Sequence, residues 1–212
     1  MAILAGCSLL IMAVLAGFAY GYVFSNIYVA NDPIATATAL VTSSGSVSFM
    51  LLGFLLILIC DIVVSFALFQ FFKQRNYTLA FYCTGMRLLY TVFLGLALKQ
   101  LSGIRSILQS DTSTPVLLPF QAFLNTWSWG LILFGIHLLL LGKLLLQSTA
   151  PKTFGYLLLL GGVCYSISNS CNQFLPDYEH YIMSFYKCLQ IFRIKVSFIP
   201  CMHLGLMACL KT

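Results

Sequence analysis

Three ionisable side chains, Asp61, Arg87 and His137, lie near the middle of three different long apolar stretches. An ionised group at the centre of a membrane costs roughly 2.5–3.5 kcal/mol on insertion scales, so such groups are expected to face one another inside a helical bundle. An ion pair between Asp61 and Arg87 would cancel both charges there. A neutral His137 could then hydrogen-bond to either partner or to Tyr90. The sequence therefore predicts an intramembrane polar cluster.

Two further sets of polar residues follow helical spacing. Tyr90 lies three residues after Arg87, which places both on one helix face. Farther along the chain, Ser168 and Asn169 lie three and four residues after Tyr165 and form a second polar stripe. The candidate ligand-binding residues are therefore Asp61, Arg87, Tyr90, His137, Ser168 and Asn169.

Three hypotheses for the cluster stay open at this stage. The first is a non-enzymatic membrane protein whose polar pocket binds or passes a small or lipid-like ligand. The second is a membrane-embedded enzyme that uses His137 as an acid or base. The third is an interaction protein in which the cluster only fixes helix packing. These hypotheses differ in whether the polar cluster is closed off inside the bundle or accessible to a ligand.

The residue types supply no complete cofactor or catalytic motif. One central histidine with one aspartate has too few ligands for zinc, even if His203 approached. Paired axial haem ligation by His137 and His203 is conceivable, but their spacing does not require it. Ser168, His137 and Asp61 have the residue types of a hydrolytic triad without its local motif. Hence no metal site, cofactor-binding residue or catalytic residue is assigned, and any cofactor is unknown.

The composition of the chain indicates the environment in which the polar cluster lies. Hydrophobic residues make up 60% of the 212 residues and charged residues 8%, too few to cover a water-soluble surface of this size. A bilayer core roughly 30 Å thick needs about 20 helical residues per crossing. Alternation of period two is absent, so helices are favoured over a barrel. We predict an all-α, polytopic transmembrane helical bundle that forms one domain over residues 1–212.

About six spans are expected, joined by short connections. Asp32 and Pro33 predict the start of a short surface helix over residues 34–41, and a second interfacial helix is expected over residues 101–108. The glycines of Gly17-Phe-Ala-Tyr-Gly21 allow close helix packing, which we expect inside the monomer. The predicted spans are residues 1–24, 47–72, 78–98, 125–147, 154–173 and 188–210.

Charge bears on partners and orientation. The net charge of +6 comes from residues scattered singly along the chain, so nucleic acid is not an expected partner. Membrane lipids are expected partners, and oligomerisation is not predicted. The turns at residues 73–76 and 148–153 are basic, whereas Asp32, Asp111 and Asp177 fall in loops on the opposite side. The positive-inside rule gives nearly equal Lys and Arg counts on the two sides of a six-span bundle. The position of the two basic turns leads us to predict both termini in the cytoplasm.

Several stretches resemble a known family. Ile59 to Leu98 carries an aspartate followed by Arg-Leu-x-Tyr, and Phe134 begins the run Phe-Gly-Ile-His-Leu-Leu-Leu-Leu-Gly. These marks resemble the bacterial integral membrane family catalogued as domain of unknown function 4386, over most of the chain from Ala5 to about Pro176. The resemblance implies a six-span protein of the bacterial cytoplasmic membrane and no established activity.

Two positions depart from the family's pattern. Ser168 stands where the fifth span often carries an acid, and His203 with Gly205 stands where the last span often carries Gly-Glu. The polar site of this chain is therefore expected to contain fewer acids than the family's usual site.

Overall fold

The computed structural model describes residues 2–104 and 115–174. All regular structure in these residues is helical, and five helices are long and apolar enough to cross a membrane. The prediction of an all-α bundle is therefore confirmed. The sixth predicted span, with His203, lies outside the described residues, as does most of the predicted interfacial helix after Ile104.

The first span begins as helix α1, Ala2–Ala16, widens to a π-helix over Gly17–Phe24 and ends in the turn Ser25–Ile27. Among the described residues none packs against the predicted Gly17 and Gly21 contact, because nothing lies within 4 Å of a Cβ built on either glycine. The inward face carries Ala19 and the bulkier Val23 and Phe24 instead.

The predicted surface helix is present as α2, Pro33–Thr42. The Asp32 side chain accepts a hydrogen bond from the Ala35 backbone N–H at 2.9 Å, and Pro33 occupies the first turn, where its missing N–H costs no helical bond. Asn31 makes the preceding turn with a positive φ of 62°, a conformation that asparagine tolerates better than most residues. This local chemistry explains why the surface helix was predictable.

Four long helices follow. Helix α3 is Ser44–Phe72, α4 is Tyr77–Ser102, α5 is Leu118–Leu146 and α6 is Lys152–Phe174. Helix α5 begins at Leu118, whereas the predicted span begins at residue 125. The difference arises because Pro119 lies in the first turn of the helix rather than in a loop. Leu101, the predicted start of an interfacial helix, is still part of α4.

Long helices that follow one another along the chain pack as neighbours: α1 on α3, α3 on α4, α4 on α5 and α5 on α6. The last pair is in the closest contact, because glycines face glycines across it. A Cβ on Gly135 would lie 2.8 Å from the Gly162 carbonyl oxygen, and one on Gly142 would lie 2.9 Å from that of Gly155. Small residues thus let the two backbones approach, as is common between membrane helices.

The apolar core has two parts. One surrounds Phe54, Phe120 and Phe123 and continues to Tyr90; the other surrounds Phe72, Leu138 and Leu144. Asp61, Arg87 and His137 each fall, along their own helices, between residues of the first part and residues of the second. A polar layer therefore separates two apolar layers.

Candidate functional site

Asp61 and Arg87 form an ion pair inside the bundle. Nη2 of Arg87 donates to Oδ1 of Asp61 at 2.6 Å, and their side chains are 3% and 0% exposed, respectively. Asp61 comes eleven residues before the end of α3 (72 − 61), and Arg87 ten residues after the start of α4 (87 − 77). At the helical rise, both lie roughly 15 Å from the same end of the bundle, near the middle of a bilayer core. The predicted ion pair is confirmed.

His137 joins this pair from α5. Nη1 of Arg87 lies 3.2 Å from Nε2 of His137, and Nδ1 of His137 lies 2.9 Å from the backbone oxygen of Cys83. A guanidinium only donates, so Nε2 accepts and the proton of the neutral ring is on Nδ1, which donates to Cys83. This confirms the expectation of a neutral histidine that hydrogen-bonds to Arg87.

The tautomer limits what His137 can do in this arrangement. One ring nitrogen has its lone pair directed at Arg87 and the other carries the proton donated to Cys83. Neither nitrogen then has a free lone pair with which to ligate a metal or haem, or to remove a proton from a substrate. The geometry therefore favours a positioning role for His137 over acid–base chemistry.

Three neighbours of the cluster were not among the predicted site residues. The Sγ of Cys83 lies 3.3 Å from Nδ1 of His137, Sδ of Met12 lies 3.9 Å from Nη2 of Arg87, and Arg87 Cζ lies 5.7 Å from the centroid of the Phe134 ring. The guanidinium thus gains a cation–π contact. Cys83 is one helical turn before Arg87, a spacing that could have identified it; the position of Met12 depends on tertiary packing.

The Asp61–Arg87 pair forms one of the two hydrogen bonds that an arginine and a carboxylate can form together. The Nε–H of a guanidinium points to the same side as one hydrogen of Nη2, and these two donors match the two oxygens of a carboxylate. Here only Nη2 is used. Nε of Arg87 and Oδ2 of Asp61 are both buried and have no hydrogen-bond partner within residues 2–104 and 115–174. The cluster therefore keeps one buried donor and one buried acceptor available.

The hydroxyls one turn farther along α3 and α4 do not use these atoms. Ser65 Oγ donates to the backbone oxygen of Asp61 at 2.7 Å, and Thr91 Oγ1 donates to that of Arg87 at 2.9 Å. Such back-bonding satisfies each hydroxyl within its own helix. These two hydroxyls are therefore satisfied by their own helices and do not pair with Nε of Arg87 or Oδ2 of Asp61.

Tyr90 is buried and borders the cluster through aromatic contacts. Its ring centroid lies 5.0 Å from that of Phe134, which in turn lies 5.7 Å from the His137 ring. The structure therefore brings four of the six predicted site residues, Asp61, Arg87, Tyr90 and His137, into one region.

The other two predicted residues, Ser168 and Asn169, are buried on α6, where Asn169 belongs to a different hydrogen-bonded group. Ser128 Oγ donates to Oδ1 of Asn169 at 3.2 Å, and Nδ2 of Asn169 donates to the Tyr165 backbone oxygen at 2.8 Å. Ser168 is 2% exposed. These hydrogen bonds of Asn169 stay within α5 and α6 and do not reach Asp61, Arg87 or His137.

Comparison with known proteins gives one match. The sequence model of a family described as "Domain of unknown function (DUF4386)" matches residues 4–204. Neither the curated proteins nor the solved structures give a match.

Proposed function

The chain belongs to the DUF4386 family, and we propose that it is a multi-pass membrane protein that binds a small, uncharged ligand at the Asp61–Arg87 pair. The observation that carries the proposal is the unpaired Oδ2 of Asp61 beside the unpaired Nε of Arg87, both buried in the described part of the chain. An unpaired buried polar group costs about 1–3 kcal/mol, so a ligand that satisfied both atoms would gain affinity from them.

The chemistry of the two atoms selects the ligand class. Oδ2 accepts a hydrogen bond and Nε donates one, so their complement is a group that does both, such as a hydroxyl. The charges of Asp61 and Arg87 already balance and His137 is neutral, so a charged ligand would add an uncompensated charge to an apolar core. The favoured ligand is therefore lipid-soluble and carries a hydroxyl.

The proposal can be tested with three ten-carbon probes that differ only in the head group: 1-decanol, decylammonium and decanoate. We expect 1-decanol to raise the melting temperature of the native protein in detergent, and to have no such effect on an Asp61→Leu/Arg87→Met double variant. Decylammonium and decanoate should affect both proteins alike, because neither matches one donor and one acceptor. The double variant corrects for effects of each probe on the micelle.

An equal response of both proteins to 1-decanol would count against the ligand. A map of the purified protein that resolves single waters gives the second comparison. Density bridging Oδ2 of Asp61 and Nε of Arg87 agrees with the proposal. A direct hydrogen bond between these two atoms, which would make the ion pair bidentate, would instead support the hypothesis that the cluster only fixes helix packing.

We also propose that the chain lies in a bacterial cytoplasmic membrane, as the family resemblance implies, with its N-terminus on the cytoplasmic side. The turns at 73–76 and 147–151 are at one end of the bundle, since Nη1 of Arg75 donates to the backbone oxygen of Gln147 at 3.2 Å. By chain direction, α1 also starts at this end, whereas Lys99 is at the other. Within residues 2–104 and 115–174, Lys73, Arg75, Lys143 and Lys152 lie at this end, and this local excess of cations supports a cytoplasmic assignment. A cytoplasmic C-terminus would require one further span after Phe174.

Orientation can be measured by introducing cysteines at Gln74 and Ala30, in a chain whose native cysteines are replaced by serine. In intact cells, a membrane-impermeant maleimide should label Ala30→Cys, while Gln74→Cys should react only after permeabilisation. Both positions are exposed, so reactivity reports the side of the membrane rather than burial. The reverse labelling pattern would place the N-terminus outside.

A further inference from the structure

Four exposed or partly exposed cations gather at the end of the bundle where α3 meets α4 and α5 meets α6. Lys73 ends α3, Arg75 lies in the turn that follows, Lys143 is in the last turn of α5 and Lys152 begins α6. We call these four residues the basic face. Lys73 and Arg75 lie in the turn after α3, whereas Lys143 and Lys152 lie on α5 and α6, so tertiary packing places the two pairs at one end of the bundle.

Two hydrogen bonds join the turns that carry the basic face. Besides the bond from Arg75 to the Gln147 backbone, Nδ2 of Asn76 donates to Oε1 of Gln147 at 3.4 Å. Asn76 also caps α4, because its Oδ1 accepts from the Leu79 backbone N–H at 3.0 Å. The guanidinium of Arg75 is therefore held in place by a neutral partner, which leaves its charge uncompensated.

No acid balances this charge within residues 2–104 and 115–174. The two acids there are Asp32, which caps α2, and Asp61, which is paired with Arg87. Helices α4 and α6 begin at the basic face and α3 and α5 end there, so their dipoles oppose one another and the positive potential comes from the side-chain charges. Tyr77, the first residue of α4, and Tyr156, the fifth residue of α6, are 62% and 61% exposed, as expected of aromatic side chains at a membrane–water interface.

We propose that the basic face binds the phosphate of an anionic phospholipid headgroup, with Arg75 as the principal donor. A phosphate accepts hydrogen bonds from several donors at once, and arginine matches its geometry better than lysine. The cations lie at helix ends, where the headgroups of a bilayer would meet them, and the two exposed tyrosines would lie at the same level. This inference does not depend on the ligand proposed for the Asp61–Arg87 pair.

The experiment uses the full chain in detergent and native mass spectrometry to count bound lipids. Phosphatidylglycerol and phosphatidylcholine with identical acyl chains are offered together. We expect phosphatidylglycerol to be retained in preference, and the Arg75→Gln variant to lose about fivefold in affinity for it, the loss expected for one cation near a headgroup. The double variant Arg75→Gln/Lys152→Gln should lose about 25-fold.

Two variants control for charge and folding. Lys99→Gln removes the same charge from the opposite end of the bundle and should leave the preference unchanged. Arg75→Lys alters the contact with Gln147 but keeps the charge, so it should stay closer to the native protein than Arg75→Gln does. An effect of Lys99→Gln as large as that of Arg75→Gln would overturn the proposal, because binding would then follow net charge alone.

Free phosphate is the alternative source of the same chemistry. Inorganic phosphate added at millimolar concentration should not displace phosphatidylglycerol, because only the lipid also places acyl chains against the helices. Complete displacement would identify the basic face as a site for soluble phosphate and overturn the lipid assignment. Equal retention of phosphatidylglycerol and phosphatidylcholine by the native chain would overturn it as well.

Discussion

Replacing Asp61 with leucine should lower the free energy of unfolding by about 3–5 kcal/mol, measured by denaturation in mixed detergent micelles. The loss arises because Arg87, only 2% exposed, would keep its charge in an apolar core without the carboxylate that now lies 2.6 Å from it. Replacing Arg87 with methionine should cost a similar amount, because Asp61 would become the uncompensated charge. Each single variant is therefore expected to be less stable than the variant that lacks both charged groups.

The double variant Asp61→Leu/Arg87→Met tests that explanation. An apolar pair of similar volume removes both desolvation costs, so most of the stability lost in the single variants should return. Asp32→Leu is the matched control: it removes an exposed carboxylate that caps α2, and should cost about 1 kcal/mol. If the double variant loses the sum of the two single losses, the residues are not energetically coupled.

Replacing Gly135 with alanine should destabilise the protein by about 3 kcal/mol, the upper part of the usual range for overpacking. The added Cβ would lie 2.8 Å from both the Gly162 carbonyl oxygen and the Ser166 backbone nitrogen, besides meeting the Ser166 hydroxyl. Backbone atoms have no alternative rotamer, so α5 and α6 would have to separate. That separation also moves the helix that carries His137.

Gly85→Ala supplies the control for this prediction. Among the described residues, nothing lies within 4 Å of a Cβ at Gly85 in α4. Alanine favours a helix over glycine by about 1 kcal/mol, so this variant should equal or exceed the native stability. Thermal or denaturant unfolding of both variants in one detergent makes the comparison. Equal stability of Gly135→Ala and Gly85→Ala would mean that the α5–α6 contact is not as close as the structure places it.

Much of the fold was predictable because a membrane imposes its requirements locally. Continuous apolar runs identified five spans, and Asp32 with Pro33 identified the surface helix, since both signals depend on neighbours along the chain. The start of α5 was missed because a proline in the first turn of a helix looks the same in sequence as a proline in a loop. The π-helix at Gly17–Phe24 was missed as well, since composition does not distinguish it from α-helix.

The sequence predicted which residues form the core of the site, but not the contacts that these residues make. Depth alone selected Asp61, Arg87 and His137, because each would be unfavourable at mid-membrane without partners. Helical spacing rather than depth added Ser168 and Asn169 to the candidate site. In the structure Asn169 bonds instead to Ser128 on the facing helix and to the Tyr165 backbone one turn earlier on its own helix, because a buried polar residue is satisfied by the nearest available partners.

The sequence by itself determined that this is a helical membrane protein with three mutually dependent ionisable groups near mid-bilayer, since hydrophobic length and burial cost follow from residue type and position. Only the tertiary structure decided how those groups are paired. It shows which nitrogen of His137 faces Arg87, that Asp61 uses one oxygen and leaves the other, and that the cations of the basic face meet across two turns. Hydrogen bonds depend on ångström-scale distances between separate helices, and the packing of Gly135 against Gly162 and of Arg87 over Phe134 sets those distances.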